Sequence, residues 1–150
     1  MFHAKEYVKA ESLEQAYELN QKRSNVLAGG MMWLKMSSGN RNTVIDLSGL
    51  GLDQIEETED EFRIGCMCSL RQLELHKGLN QYFGGAFREC TRWIVGTQFR
   101  NSATVGGSVF GRFGFSDILT CMMVLDSYVE LYKGGTVSLE EFAKMKYSRD

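Results

Sequence analysis

Between Asn101 and Asp117 the chain places Gly106, Gly107, Gly111 and Gly114 within one short stretch, the first two as a pair behind Thr104-Val105. A glycine pair has no Cβ to hold a ligand away and tolerates positive φ, so its backbone N–H groups can converge on an anion such as a pyrophosphate. The stretch ends in a polar step, Ser116-Asp117, that leads into the apolar run Ile118 to Leu125. Asp117, at the mouth of the predicted helix, suits a polar contact but repels a bare phosphate. This mixture fits a nucleotide-like ligand with both anionic and hydroxylic parts. It is equally the pattern of a glycine-rich turn followed by a capped core helix.

A second glycine pair stands earlier. The apolar run Asn25-Val-Leu-Ala28 ends abruptly in Gly29-Gly30 and continues as Met31-Met-Trp-Leu34. A strand entering a glycine pair makes a second backbone loop able to approach a ligand closely, or a tight strand-to-helix turn. Thr43 to Leu47 has the β-branched and apolar content of a core strand, and Lys35 to Asn42 reads as a loop or a frayed helix end. Gly49-Leu-Gly51 imitates the start of a dinucleotide fingerprint, but Gln54 stands where the third glycine belongs, so it reads as a turn.

The remaining elements are punctuated by serine. Phe2 to Val8 reads as a strand, and Ser12 with Gln15 forms a capping box for a helix from Leu13 to Lys22 that turns Leu13, Ala16, Tyr17 and Leu19 inward. Gln54 to Cys66 reads as a hairpin with Glu59-Asp-Glu61 at its tip. Ser69 with Gln72 opens a short helix to Leu75 or His76, and the spacing of Leu79, Phe83, Ala86, Phe87, Cys90 and Ile94 predicts one helix over Asn80 to Ile94, weakened by Gly84-Gly85. Asp126 to Tyr132 alternates as a strand, Lys133-Gly-Gly-Thr136 turns it back, and Ser138 with Glu141 opens a last helix with Leu139, Phe142 and Met145 inward.

Composition narrows the function classes. A net charge of −2 with no basic stripe gives no electrostatic case for nucleic acid. The longest apolar run, Ile118 to Leu125, is too short to span a bilayer, and Met1 to Glu6 lacks a signal peptide's order of regions, so no membrane partner and a cytoplasmic location are expected. Cys66 and Cys68 are too close for the usual zinc or iron–sulfur spacings, and Cys66, Cys68, Cys90 and Cys121 are expected as buried free thiols. His3 and His76 lack a ligand pattern and are expected at the surface; no metal site and no acid–base catalyst is nominated.

Taken together, Val26 to Leu34, Val44 to Ser48, Ile64 to Leu73, Gln98 to Gly107 and Phe115-Ser-Asp117 occur in an order and at intervals that resemble the FAD-binding subunit, or medium chain, of molybdenum-cofactor hydroxylases of the xanthine dehydrogenase and carbon monoxide dehydrogenase type. The resemblance spans nearly the whole chain. It implies an α+β, two-lobed, PCMH-like FAD-binding domain: a small N-terminal β-α-β lobe over residues 1–55 and a larger mixed-sheet lobe over 56–150, with the C-terminal part of the family's subunit missing.

In such a domain FAD lies between the lobes. The first loop, matched by Val26, Leu27, Ala28, Gly29, Gly30, Met31, Met32 and Trp33, wraps the pyrophosphate with backbone N–H groups. The second, matched by Ala103, Thr104, Gly106, Gly107 and Ser108, closes on it from the other lobe. Thr104 would donate a hydroxyl, Asp117 would accept hydrogen bonds from the cofactor, and Ile94 matches a position near the flavin ring. The implied partners are a molybdenum-cofactor large subunit and an iron–sulfur small subunit, with NAD or another acceptor downstream, and the isolated chain is expected to be inactive. The chain departs from the pattern at Met31-Met32, where Thr-Asp is common, at Ser108 in place of Asn, and at Phe113-Gly-Phe115 in place of a Pro-containing segment. Met31-Met32 and the missing C-terminal part keep open a module that retained the fold without flavin and serves structure or assembly.

Overall fold

A computed structural model describes residues 1–149. Its first unit is a parallel sheet. Strands β1 (Phe2–Lys9) and β2 (Val26–Ala28) both pair with β3 (Gly39–Asp46), which lies between them, and one row of the register runs Tyr7–Val44–Val26. The central strand is buried where its sequence is most β-branched, at Thr43, Val44 and Ile45. Helix α1 (Leu13–Asn20) connects β1 to β2, and Ile45, Ala10 and Ala16 make a small core with Leu19, Leu47 and Leu50. Ser12 caps α1 by accepting from the N–H of Gln15 at 3.1 Å.

The second unit is mostly helical. An antiparallel pair, β4 (Ile55–Glu57) and β5 (Phe62–Ile64), precedes helices α2 (Leu70–Leu75), α3 (Lys77–Tyr82), α4 (Ala86–Thr91), α5 (Thr97–Ser102), α6 (Val105–Phe110) and α7 (Asp117–Met123). A second pair, β6 (Tyr128–Leu131) and β7 (Gly135–Ser138), leads into α8 (Leu139–Lys144). Cys68, Leu70, Leu73, Leu79, Phe87, Val105, Val109, Ile118, Met122, Leu139 and Phe142 form one continuous core. Ser69 and Gln72 make the full reciprocal capping box, and Ser116 and Ser138 cap α7 and α8.

Several expectations are corrected. The helix over Asn80 to Ile94 is two, because Gly84 and Gly85 both adopt left-handed φ (59° and 82°) and break the ladder between α3 and α4. The glycine-rich stretch is not a simple turn: α5 and α6 flank a single extended step at Ala103-Thr104. Strand β3 begins at Gly39, inside the expected loop, since pairing with Phe2 to Ala4 recruits it. Leu13 and Met145 are exposed rather than inward, Cys66 is exposed rather than buried, and α1 stops at Asn20. His76 caps α3, its Nδ1 accepting from the Leu79 N–H at 3.2 Å.

Polar contacts join the units. Glu14 of α1 accepts from the Tyr132 hydroxyl at 2.7 Å and pairs with Lys133 at 3.2 Å, and Met67 donates to the Leu52 carbonyl at 2.8 Å. Among the described residues no helix is long and apolar enough to cross a membrane.

Candidate functional site

The first glycine loop leaves β2 at its C-terminal end, where a parallel sheet turns its strand carbonyl ends and loops toward a ligand. Among the described residues, the N–H groups of Gly30, Met31, Met32 and Trp33 donate to no protein acceptor. Met31 holds φ at 60°, a left-handed conformation that turns successive amides toward one side. Unpaired donors in sequence, on a loop with no carboxylate of its own, favour an anion. Lys35, one turn on, directs its ammonium at the Met32 sulfur at 3.7 Å and forms no ion pair among the described residues.

The second loop is built differently. Val105 donates to the Cys68 carbonyl at 2.8 Å, Gly106 to the Cys66 carbonyl at 2.9 Å, and Gly107 to the Thr104 hydroxyl oxygen at 3.2 Å. Ser108 donates its amide to the Thr104 carbonyl at 3.1 Å and its hydroxyl to the same oxygen at 3.0 Å. The glycines here serve packing. A Cβ on Gly106 would lie 2.6 Å from the Cys66 carbonyl oxygen. Thr104 is buried, caps α6 through its oxygen, and keeps its hydroxyl proton free of any protein acceptor among the described residues.

The two loops touch. A Cβ on Gly30 would overlap the Ser102 carbonyl oxygen, and one on Gly29 would stand 2.7 Å from the Thr104 hydroxyl. Beside this contact lies a polar hollow of about 240 Å³ lined by Gly29, Gly30, Ser48, Asp53, Ser69, Gln72, Asn101, Ser102 and Thr104. Gly29 and Met31 also border a larger hollow of about 520 Å³ along the parallel sheet, with Tyr7, Val44 and Asp46. Burial pushes the Asp46 carboxyl up, but hydrogen bonds from Tyr7 and from the Ser48 amide and hydroxyl, aided by Lys9, outweigh it and hold it below the usual range.

Other residues singled out in the sequence are spread around this junction. Val26 and Ala28 lie in β2 on either side of the half-exposed Leu27; Ala103 is buried beneath the contact. Asp117 opens α7, exposed, with its carboxylate free of hydrogen bonds and ion pairs among the described residues. Ile94 packs against the large core between α4 and α5, its carbonyl held by Arg100 at 3.1 Å. Arg100 in turn is buried against Glu74 at 2.8 Å, anchoring α5 and the Ser102 to Thr104 segment that carries the first loop.

Sequence reasoning missed an exposed aromatic cluster. Trp33 of the first loop meets Phe113 and Phe115 of the α6–α7 link, with ring centroids 6.0 and 5.7 Å away, and the two phenylalanines stack at 5.1 Å and 9°. The polar lining residues Ser48, Asp53, Gln72 and Asn101 were missed too. Ser48 and Asp53 lie in loops, Gln72 in α2 and Asn101 in α5, and nothing in their local sequence marks them as neighbours.

A family model described as the FAD binding domain in molybdopterin dehydrogenase matches residues 2–150. Among curated proteins, the chain is 26% identical over 131 residues to the 6-hydroxypseudooxynicotine dehydrogenase complex subunit alpha of Paenarthrobacter nicotinovorans, covering 83% of this chain and 44% of that one. It is 25% identical over 141 residues to the uncharacterized protein YgfM of Escherichia coli K12, covering 91% and 53%. Its fold matches a crystal structure of the Cu,Mo-CO dehydrogenase with a TM-score of 0.78 at 22% identity, covering 91% of this chain and 51% of that one. Quinoline 2-oxidoreductase from Pseudomonas putida 86 matches with a TM-score of 0.75 at 15% identity, covering 92% and 50%. The chain thus spans about half the length of the relatives it matches.

Proposed function

Because this chain belongs to the family of FAD-binding domains of molybdopterin dehydrogenases, we propose that it holds FAD as the electron-transfer component of a molybdenum-dependent hydroxylase or dehydrogenase. The observation that carries the reading is the run of unpaired amides from Gly30 to Trp33 at the end of β2. These residues fit a diphosphate: donors in sequence, a left-handed Met31 and no nearby carboxylate on the loop. The proposed lobes are residues 1–55 and 56–150.

In this reading Gly30 to Trp33 bind the diphosphate through the backbone, so Met31 and Met32 serve where the family commonly has polar side chains. Thr104, whose oxygen is committed to the Gly107 amide, donates its free proton toward the cofactor, and Gly29 leaves room for it. Gly106, Gly107 and Ser108 act indirectly, by seating α6 against Cys66 and Cys68. Asp117 accepts from hydroxyl or amide groups, and Ile94 offers an apolar contact to the flavin ring. When bound, FAD supplies the redox chemistry, taking electrons from an iron–sulfur carrier and passing them to NAD or another acceptor. The proposed partners are a molybdenum-cofactor large subunit and an iron–sulfur small subunit, in the cytoplasm.

A second reading is favoured by the second glycine pair, around which every amide from Val105 to Ser108 is committed to a protein acceptor: a module that keeps the fold for structure or assembly without flavin. Titration of the purified chain with FAD separates the two. Saturable quenching of flavin fluorescence is the expected result; a folded chain with no saturable binding overturns the flavin reading in favour of the second.

A further inference from the structure

Trp33, Phe113 and Phe115 are 52%, 41% and 64% exposed, although each could have joined a core. They come from both units, and they meet beside the first glycine loop, whose amides from Gly30 to Trp33 have no protein acceptor among the described residues. The link that carries the phenylalanines is pinned on either side. Arg112, at φ 48°, lays its guanidinium 4.2 Å from the Phe142 ring centroid and 4.7 Å from that of Tyr147, and donates to the Met145 carbonyl. Ser116 donates its amide to the Phe113 carbonyl at 2.9 Å and its hydroxyl to the Ser108 carbonyl at 3.1 Å. Gly111 lacks the Cβ that would stand 2.7 Å from the Phe113 ring. The rings are therefore held outward by a fixed backbone, a preorganised apolar surface beside an anion-binding loop.

We propose that Trp33, Phe113 and Phe115 form a stacking platform for the adenine ring of the dinucleotide. This rests on the flavin reading given above. The choice of ring follows from chemistry. Adenine is joined to its phosphate through one compact ribose, whereas the isoalloxazine hangs on an extended ribityl chain. Trp33 directly continues the amide loop, so the ring on the shorter arm is the one that reaches it. Aromatic faces accept any purine without hydrogen-bond readout, and the tilt of Trp33 against the stacked phenylalanines, 47° and 53°, leaves ring faces at an angle to one another around the contact.

The test uses ADP and FMN, which each carry one end of FAD, on the whole chain in a Trp93→Phe background so that Trp33 is the tryptophan reporting. ADP is expected to quench Trp33 emission saturably. Phe113→Ala with Phe115→Ala should weaken ADP and FAD about tenfold or more and leave FMN affinity within about twofold. Phe113→Leu with Phe115→Leu, which keeps apolar volume but removes the π faces, should weaken ADP as well, and circular dichroism reports whether either variant folds. Unchanged ADP and FAD affinity in the folded variants, or an equal loss for ADP and FMN, overturns the platform while leaving the flavin reading intact. If the unsubstituted chain binds neither FAD nor ADP, both fall together.

Discussion

The two glycine pairs look alike in the sequence and differ in what their missing side chains permit. At Gly106-Gly107 the absent Cβ lets a helix rest on the Cys66 carbonyl, and every amide from Val105 to Ser108 is spent inside the protein. At Gly29-Gly30 the absent Cβ lets a loop rest on the Ser102-Ala103 backbone and the Thr104 side chain, and the amides from Gly30 to Trp33 are left without protein acceptors among the described residues. One pair is a packing device alone. The other is a packing device that leaves a donor array facing outward, so a glycine pair identifies a close approach, and only the fate of its neighbours' N–H groups identifies a ligand site.

The largest expected effect would come from Gly30→Ala. The new Cβ overlaps a backbone carbonyl rather than a movable side chain, so denaturant unfolding should show a loss above about 4 kcal/mol. A loss like that at Gly106→Ala, where the approach is 2.6 Å and overpacking costs about 1–3 kcal/mol, would erase the distinction in tightness between the pairs.

Next comes Glu74→Gln, which leaves Arg100 buried without its countercharge and should cost about 3–5 kcal/mol. Because Arg100 anchors the segment on which the first loop sits, FAD affinity should fall along with stability. Burial pushes the Glu74 carboxyl up, but hydrogen bonds from Arg71 and Arg100 more than offset this and set it below the usual carboxylate value. A depressed folded pKa gives stability that is present above the unfolded value and lost as pH falls through the folded one. The gap between the unsubstituted chain and the variant should therefore narrow on acidification below the ordinary carboxylate range, which unfolding curves taken at several pH values would record.

The smallest effect sharpens the donor side. Met31→Gly relieves a left-handed φ that costs a non-glycine residue about 1–2 kcal/mol, so the melting temperature should rise slightly. Since the proposed donor is the backbone, FAD affinity should stay within about twofold. A large loss of affinity would move the binding role to the methionine side chain.

What was legible in the sequence was local. Ser12, Ser69, Ser116 and Ser138 each cap the helix they precede, because a cap needs only its own N3 amide. The β4–β5 hairpin and the alternating face of β6 followed from period and turn residues for the same reason. Helices α5 and α6 were hidden. They are too short for periodicity, and long-range bonds fix them, Leu70 to the Ala103 carbonyl and Val105 to the Cys68 carbonyl. At the candidate site the glycines could be read, but whether an amide is spent depends on a distant carbonyl, and Trp33 meets Phe113 only across the two units. The break at Gly84-Gly85 was signalled, and the apolar spacing across it masked the signal.

The strand order β1–β3–β2 has a consequence for how the chain comes together in time. The first two strands made never pair with each other; both await the third. Until Gly39 to Asp46 arrives, β1 and β2 have only unsatisfied edges, and closing them requires non-local contacts that form slowly relative to a hairpin. The loop after β2 gains its fixed geometry only after that closure, when Ser102 to Thr104 come to rest against it. Nucleotide present while the sheet is assembling would therefore bind late, and would act as a clasp on a finished edge rather than as a seed for it.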